Sequence, residues 1–143
     1  MPRYFTSVTT PLPPEEAFGY MASFDNVAEW DPGVRRAERI GTGEPGLGSR
    51  FRVVVSSAGR EMPLQYEITE FDPPRQVVLL AETATLRSLD RITVQPGPDG
   101  TTVTYDARLE LLGVLRLFNP ALALVFNRIG DRAAAGLRRA LQA

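Results

Sequence analysis

Ser88 and Asp90 stand in a strand-like run, residues 84–95, on the same alternating phase as Leu86, Ile92 and Val94. A carboxylate among inward-facing apolar side chains costs free energy to bury unless it is paired or protonated. Asp90 is therefore a candidate to orient a polar group of a bound molecule, or to act as a base. The alternatives are a bulge that turns it outward, or pairing with an arginine such as Arg91 or Arg52. Tyr66 and Tyr105 occupy apolar phases of two other runs. A buried phenol finds a hydrogen-bond partner. In a cavity it offers a donor to a ligand carbonyl or a weak acid for enolisation; otherwise it is core packing.

The chemistry open to these groups is narrowed by what the chain lacks. It contains no histidine, cysteine or lysine. Histidine is the side chain that moves protons most readily near neutral pH, and cysteine and lysine are the usual thiol and amine nucleophiles. A Ser-His-Asp triad, a Schiff base and a histidine or thiolate metal site are all excluded. No acidic cluster has calcium-loop spacing, so neither metal nor cofactor is expected. A cavity that binds something is the expectation, with any catalysis resting on Asp, Glu, Arg, Tyr, Ser, Thr and Asn.

Length suits one domain spanning residues 1–143. The net charge of −1 gives no general attraction to nucleic acid or an anionic membrane. Arg35-Arg36 and Arg138-Arg139 read as solvated faces. The N-terminal residues carry no apolar run of a signal peptide. No stretch reaches the roughly 18 apolar residues of a membrane span. Cytoplasmic is the expected location, and arginine used to the exclusion of lysine suggests a GC-rich bacterial genome.

The elements that must position these groups follow from periodicity. Residues 4–10 predict a first strand, ended by Pro11, Pro13 and Pro14. Pro14-Glu15-Glu16 opens a helix whose stripe is Ala17, Phe18, Tyr20 and Met21. A short second helix is expected over Asp25–Trp30, capped by Asp25. Strands are then expected over 34–40, 49–57, 60–71, 77–81, 84–95 and 101–111. The 60–71 run puts Met62, Leu64, Tyr66 and Ile68 on one face. The 101–111 run turns Val103, Tyr105, Ala107, Leu109 and Leu111 inward and Thr102, Thr104, Asp106, Arg108 and Glu110 to water. A long helix, about Leu117 to Leu141, closes the chain. Its N-terminal half is apolar on nearly every side, which means deep burial or a lid over a cavity. The order predicts a curved antiparallel sheet covered by one long helix, with room for a small molecule between them.

Pro14–Phe18, Asn26–Val34 (NVAEWDPGV), Tyr66–Leu79 (YEITEFDPPRQVVL), Asp99–Tyr105 (DGTTVTY) and the helix from Pro120 to Leu141 resemble the START-like (SRPBCC) superfamily, in particular its polyketide cyclase/dehydrase branch. The resemblance runs nearly end to end. It implies an α+β helix-grip fold: about seven antiparallel strands wrapped around the C-terminal helix, two short helices after strand 1, and a deep hydrophobic cavity. Such folds host carriers, receptors and cyclases, so the resemblance does not select a function.

Further candidates come from position. Trp30 ends the short second helix, which in similar proteins lines the cavity mouth; it caps the pocket or staples that helix to the sheet. Phe51, opposite Tyr66 by hairpin register, is expected to be wall. Met62 and Phe126, with Phe18 and Met21, are core first and pocket second. The glycine-rich GTGEPGLG at 41–48 lacks the Gly-Lys-Ser/Thr of a phosphate loop and reads as a flexible hairpin over the cavity entrance. Glu61, Glu67, Glu70, Asp72 and Glu82 read as a solvated face.

Three functions stay open at this level. The first is binding or carriage of a small hydrophobic molecule such as a lipid, polyketide or aromatic metabolite, held by Trp30, Phe51, Met62, Tyr66, Ser88, Asp90, Tyr105 and Phe126. The second is a polyketide cyclase or dehydratase acting by substrate positioning with Tyr and Asp help. The third is an interaction module or homodimer using the apolar segment Leu111–Phe126.

Overall fold

The computed structural model describes residues 3–57 and 59–142. Its elements are β1 (Arg3–Thr10), α1 (Pro14–Ala22), a 3-10 turn at Phe24–Asn26, α2 (Val27–Trp30), β2 (Val34–Ile40), β3 (Arg50–Ser57), β4 (Arg60–Asp72), β5 (Gln76–Glu82), β6 (Leu86–Gly97) and β7 (Gly100–Leu111). A second 3-10 turn, Gly113–Phe118, leads into α3 (Asn119–Gln142). The seven strands form one sheet in the order β1-β7-β6-β5-β4-β3-β2, every pair antiparallel. From β1 at one edge, α1 and α2 carry the chain to the opposite edge at β2. The strands then return hairpin by hairpin until β7 pairs with β1.

Alternation decides which face is buried. Phe51, Val53, Leu64, Tyr66, Ile68, Val77, Leu79, Ala81, Ile92, Val94 and Val103 all turn inward and are buried. The helices cover this face, with Phe18, Met21, Phe24, Val27, Trp30, Leu137 and Leu141 joining the same core. The outer face carries paired charges: Arg36–Glu61, Arg50–Glu67, Arg75–Asp72, Arg87–Glu82 and Arg91–Glu70. The acids read as a solvated face are thus its ion-paired members, each contributing little singly.

Two glycines let α3 approach closely. A Cβ at Gly136 would run into the Trp30 backbone carbonyl, and one at Gly130 into the Tyr4 ring. At its far end, the Thr10 hydroxyl donates to the Leu141 carbonyl at 2.5 Å. The Gln142 amide donates to the Thr9 carbonyl at 2.6 Å. The near end is tied by Asn119, whose Oδ1 accepts from the Leu111 N–H at 2.9 Å. Asn119 thereby continues the β7 hydrogen bonding one step past the strand.

Several expectations need correction. Asp25 does not cap a helix: residues 24–26 form the 3-10 turn, and α2 has no side-chain cap. The closing α-helix begins at Asn119, because 113–118 wind more tightly as a 3-10 turn. Asp106 is not a water-facing group. It is buried, held by Arg3 Nε and Nη2 at 2.9 and 3.0 Å. Of the two readings of the apolar N-terminal half of α3, deep burial fails, since Leu124 and Val125 are 84% and 49% exposed. The 41–48 loop joins Ile40 to Arg50, whereas the cavity described next opens beside Gly33, Val55 and Ser56, at the other end of that hairpin.

Candidate functional site

A cavity of about 230 Å³ lies between the sheet and the N-terminal half of α3. Its walls are Met62 and Leu64 from β4, Leu86 from β6, Ala107 and Leu109 from β7, and Leu122, Phe126, Ile129 and Ala133 from α3. These are mainly apolar surfaces, of the kind that favours contact with hydrophobic molecules.

Among the polar side chains in this lining, four form two hydrogen-bonded pairs. The β6 alternation sends Ser88 and Asp90 inward with Leu86 and Ile92. Ser88 lies opposite Ala81 on β5, which lies opposite Tyr66 on β4. The small Ala81 leaves room for the Tyr66 ring to reach across, and its hydroxyl meets Ser88 Oγ at 2.7 Å. Asp90 lies opposite Ala107, so Tyr105 is its diagonal cross-strand neighbour. The Tyr105 hydroxyl donates to Asp90 Oδ2 at 3.0 Å. Asp90 is neither bulged outward nor paired with an arginine, and it is 3% exposed.

Burial sets the electrostatics. It lifts the Asp90 carboxyl from the usual carboxylate range to about 7, and repulsion from Asp31 and Asp106 adds to the rise. The Tyr105 and Ser88 hydroxyls favour the carboxylate and pull it part of the way back. Burial likewise raises both phenols, with the nearby Asp90 charge next in importance. Asp90 is therefore divided between acid and carboxylate near neutral pH, while Tyr66 and Tyr105 remain protonated donors. The arrangement can receive a hydroxyl or carbonyl, and it can give or take one proton at Asp90 Oδ.

Met62, Tyr66, Ser88, Asp90, Tyr105 and Phe126 thus meet in one cavity. Phe51 and Trp30 stand outside its lining. Phe51 is fully buried and packs edge-on against Phe24, at 6.3 Å between centroids. Trp30 lies edge-on to the back of Tyr105 at 5.4 Å, and its carbonyl is the seat of Gly136. Its place is the staple between α2, α3 and the sheet.

Sequence reasoning passed over Asp31 and Tyr4, which also line the cavity. Asp31 reads as a turn residue, and it is one: its Oδ1 accepts the Gly33 N–H at 2.9 Å. Burial still raises its carboxyl pKa, and the Gly33 bond opposes that rise. Tyr4, on edge strand β1, donates to Asp131 of α3 at 2.8 Å. Only the tertiary meeting of β1 with α3 reveals it, and no local signal marks it. Among the described residues, no group of acids could hold a metal ion, and no helix is long and apolar enough to cross a membrane.

The family model described as polyketide cyclase / dehydrase and lipid transport matches residues 1–142. The chain belongs to that family. A search of curated proteins finds no match. The fold is similar to that of TTHA0849 from Thermus thermophilus, with a TM-score of 0.76 at 18% identity over 96% of this chain and 95% of that one. It is also similar to a START superfamily protein from Mycobacterium smegmatis, with a TM-score of 0.75 at 16% identity over 97% and 96%. The major latex-like protein 151 of Panax ginseng aligns with a TM-score of 0.60 at 12% identity over 91% and 96%. At these identities the likeness speaks for the fold, the START-like helix grip.

Proposed function

We propose that this member of the polyketide cyclase/dehydrase and lipid transport family binds a small, mainly hydrophobic molecule between its sheet and α3. The observation that carries the reading is the apolar cavity of about 230 Å³ with two polar pairs, Tyr66–Ser88 and Tyr105–Asp90, set into its wall. Apolar contact supplies the affinity, and the pairs select a molecule with an oxygen at a matching position. In this reading the chain acts as one ligand-binding domain in the cytoplasm.

The test is native mass spectrometry of freshly purified protein, followed by thermal-shift screening of hydrophobic metabolites. A ligand at a hundred times its Kd adds about 2.7 kcal/mol of stability, a shift of several degrees. Ala107→Phe, which fills the cavity from the sheet side, should abolish both signals. Absence of any co-purified molecule and of any shift across the screen would sink the proposal.

A second reading is favoured by one observation. An Asp90 carboxyl poised near neutral pH beside a phenol donor suits proton transfer to or from a bound carbonyl compound, as in a cyclisation or dehydration. Asp90→Asn would then abolish turnover while leaving binding in place.

A further inference from the structure

The cavity is small for the work. Ligand pockets usually enclose about 300–1,000 Å³, and about 230 Å³ houses a short chain or one ring system. It does not end blindly, however. An outer recess of about 370 Å³ adjoins it, lined by Pro32, Gly33, Arg35, Ser56, Ile129 and Arg132. Gly33, Ser56 and Ile129 line both spaces, so a molecule seated inside and too long for the cavity emerges between Arg35 and Arg132.

Local structure aims both arginines there. The β2–β3 register slips between Val34 and Arg36, which pair with Val55 and Val54. Arg35 is the extra residue of a bulge, the device that redirects a side chain at a strand edge. Its neighbour Arg36 goes elsewhere and pairs with Glu61 at 3.4 Å. On α3, Arg132 lies three residues past the cavity-lining Ile129, on the same face of the helix. Among the described residues neither Arg35 nor Arg132 forms an ion pair. Of the nearby acids, Asp131 accepts from Tyr4, and Asp31 is taken up by the Gly33 N–H.

Building on the proposed binding function, we propose that Arg35 and Arg132 hold the anionic head of a single-chain amphiphile, a carboxylate or phosphate. Its apolar body fills the inner cavity. A cavity of about 230 Å³ suits a single short tail. Arginine's forked donors match either head group.

The experiment is calorimetric titration with decanoate, decyl phosphate and decanol, which share one tail. The two anions should bind about tenfold more tightly than the alcohol, the scale of two exposed ion pairs. That preference should shrink as salt rises. In Arg35→Gln/Arg132→Gln the anion-to-alcohol ratio should fall to about one. In Arg35→Glu/Arg132→Glu the alcohol should be preferred. Both positions are exposed, so these variants should fold. Decanol binding as well as the anions, or a ratio unmoved by both variants, overturns this inference and leaves the hydrophobic cavity standing. If none of the three binds while another hydrophobic molecule in the screen does, this inference alone falls; if nothing in the screen binds, the cavity reading falls with it.

Discussion

The two halves of α3 have the same secondary structure and opposite situations. In the C-terminal half, Leu137 and Leu141 are fully buried, Ala133 and Ala134 are nearly so, and Gly136 sits against the Trp30 carbonyl. In the N-terminal half, Leu124 and Val125 are exposed, and the residues that turn inward, Leu122 and Phe126, face a cavity instead of a packed wall. One half anchors the helix and the other roofs the site. Burial and cross-bonding set the free energy of local opening, so the roof should open far more readily than the anchor. Under the proposed binding function, stability and access lie at opposite ends of one helix.

Truncation in the anchor is the strongest way to break this contrast. Leu137→Ala removes a fully buried side chain and should cost about 3–5 kcal/mol in urea unfolding. Gly136→Ala should cost about 2–3 kcal/mol, because a backbone carbonyl cannot step aside for the added methyl. A loss under 1 kcal/mol in both would mean that the C-terminal half is not the anchor.

The sheet was legible because alternation is local. The runs holding Tyr66, Ser88, Asp90 and Tyr105 specify their faces by parity, and a hairpin carries the register from one strand to the next. Hence the pairing of Phe51 with Tyr66 could be read from the chain. The helices were less legible. An apolar run such as Ala121–Phe126 has the same composition whether it fills a core or covers a void, and only tertiary contact separates the two. Trp30 shows the same limit: being aromatic at a helix end does not say whether the ring meets ligand or sheet. Asp106 was misread because its partner Arg3 is remote in sequence and meets it only through the β1–β7 pairing.

A second test contrasts the site's wall with the rest of the molecule. The chain has no histidine, so few groups titrate between pH 5 and 8. Asp90 is the exception, with its carboxyl lifted to about 7 by burial. The folded state then holds a proton that the unfolded state has released. Asp90's contribution is fully present below about pH 4 and is lost as pH rises through 7. Between pH 5 and 8 the protein should lose roughly 2–3 kcal/mol. Asp90→Asn should remove most of that slope and should be the more stable protein at pH 8. Equal slopes in the two proteins would place Asp90 in contact with water and remove the dry cavity wall on which the site depends.

The smallest expected effect is the most discriminating for the roof. Leu124 is 84% exposed, so Leu124→Ala should change stability by less than about 0.5 kcal/mol. The same substitution at Leu137, further along the same helix, costs several times more because burial is all that differs. Leu124 also points away from the cavity lining, so ligand affinity should hold. A loss above about 1 kcal/mol at Leu124 would mean that this face is covered in solution. A melting temperature that climbs with protein concentration would then identify a second copy of the chain as the cover, and the roof would open only on dissociation.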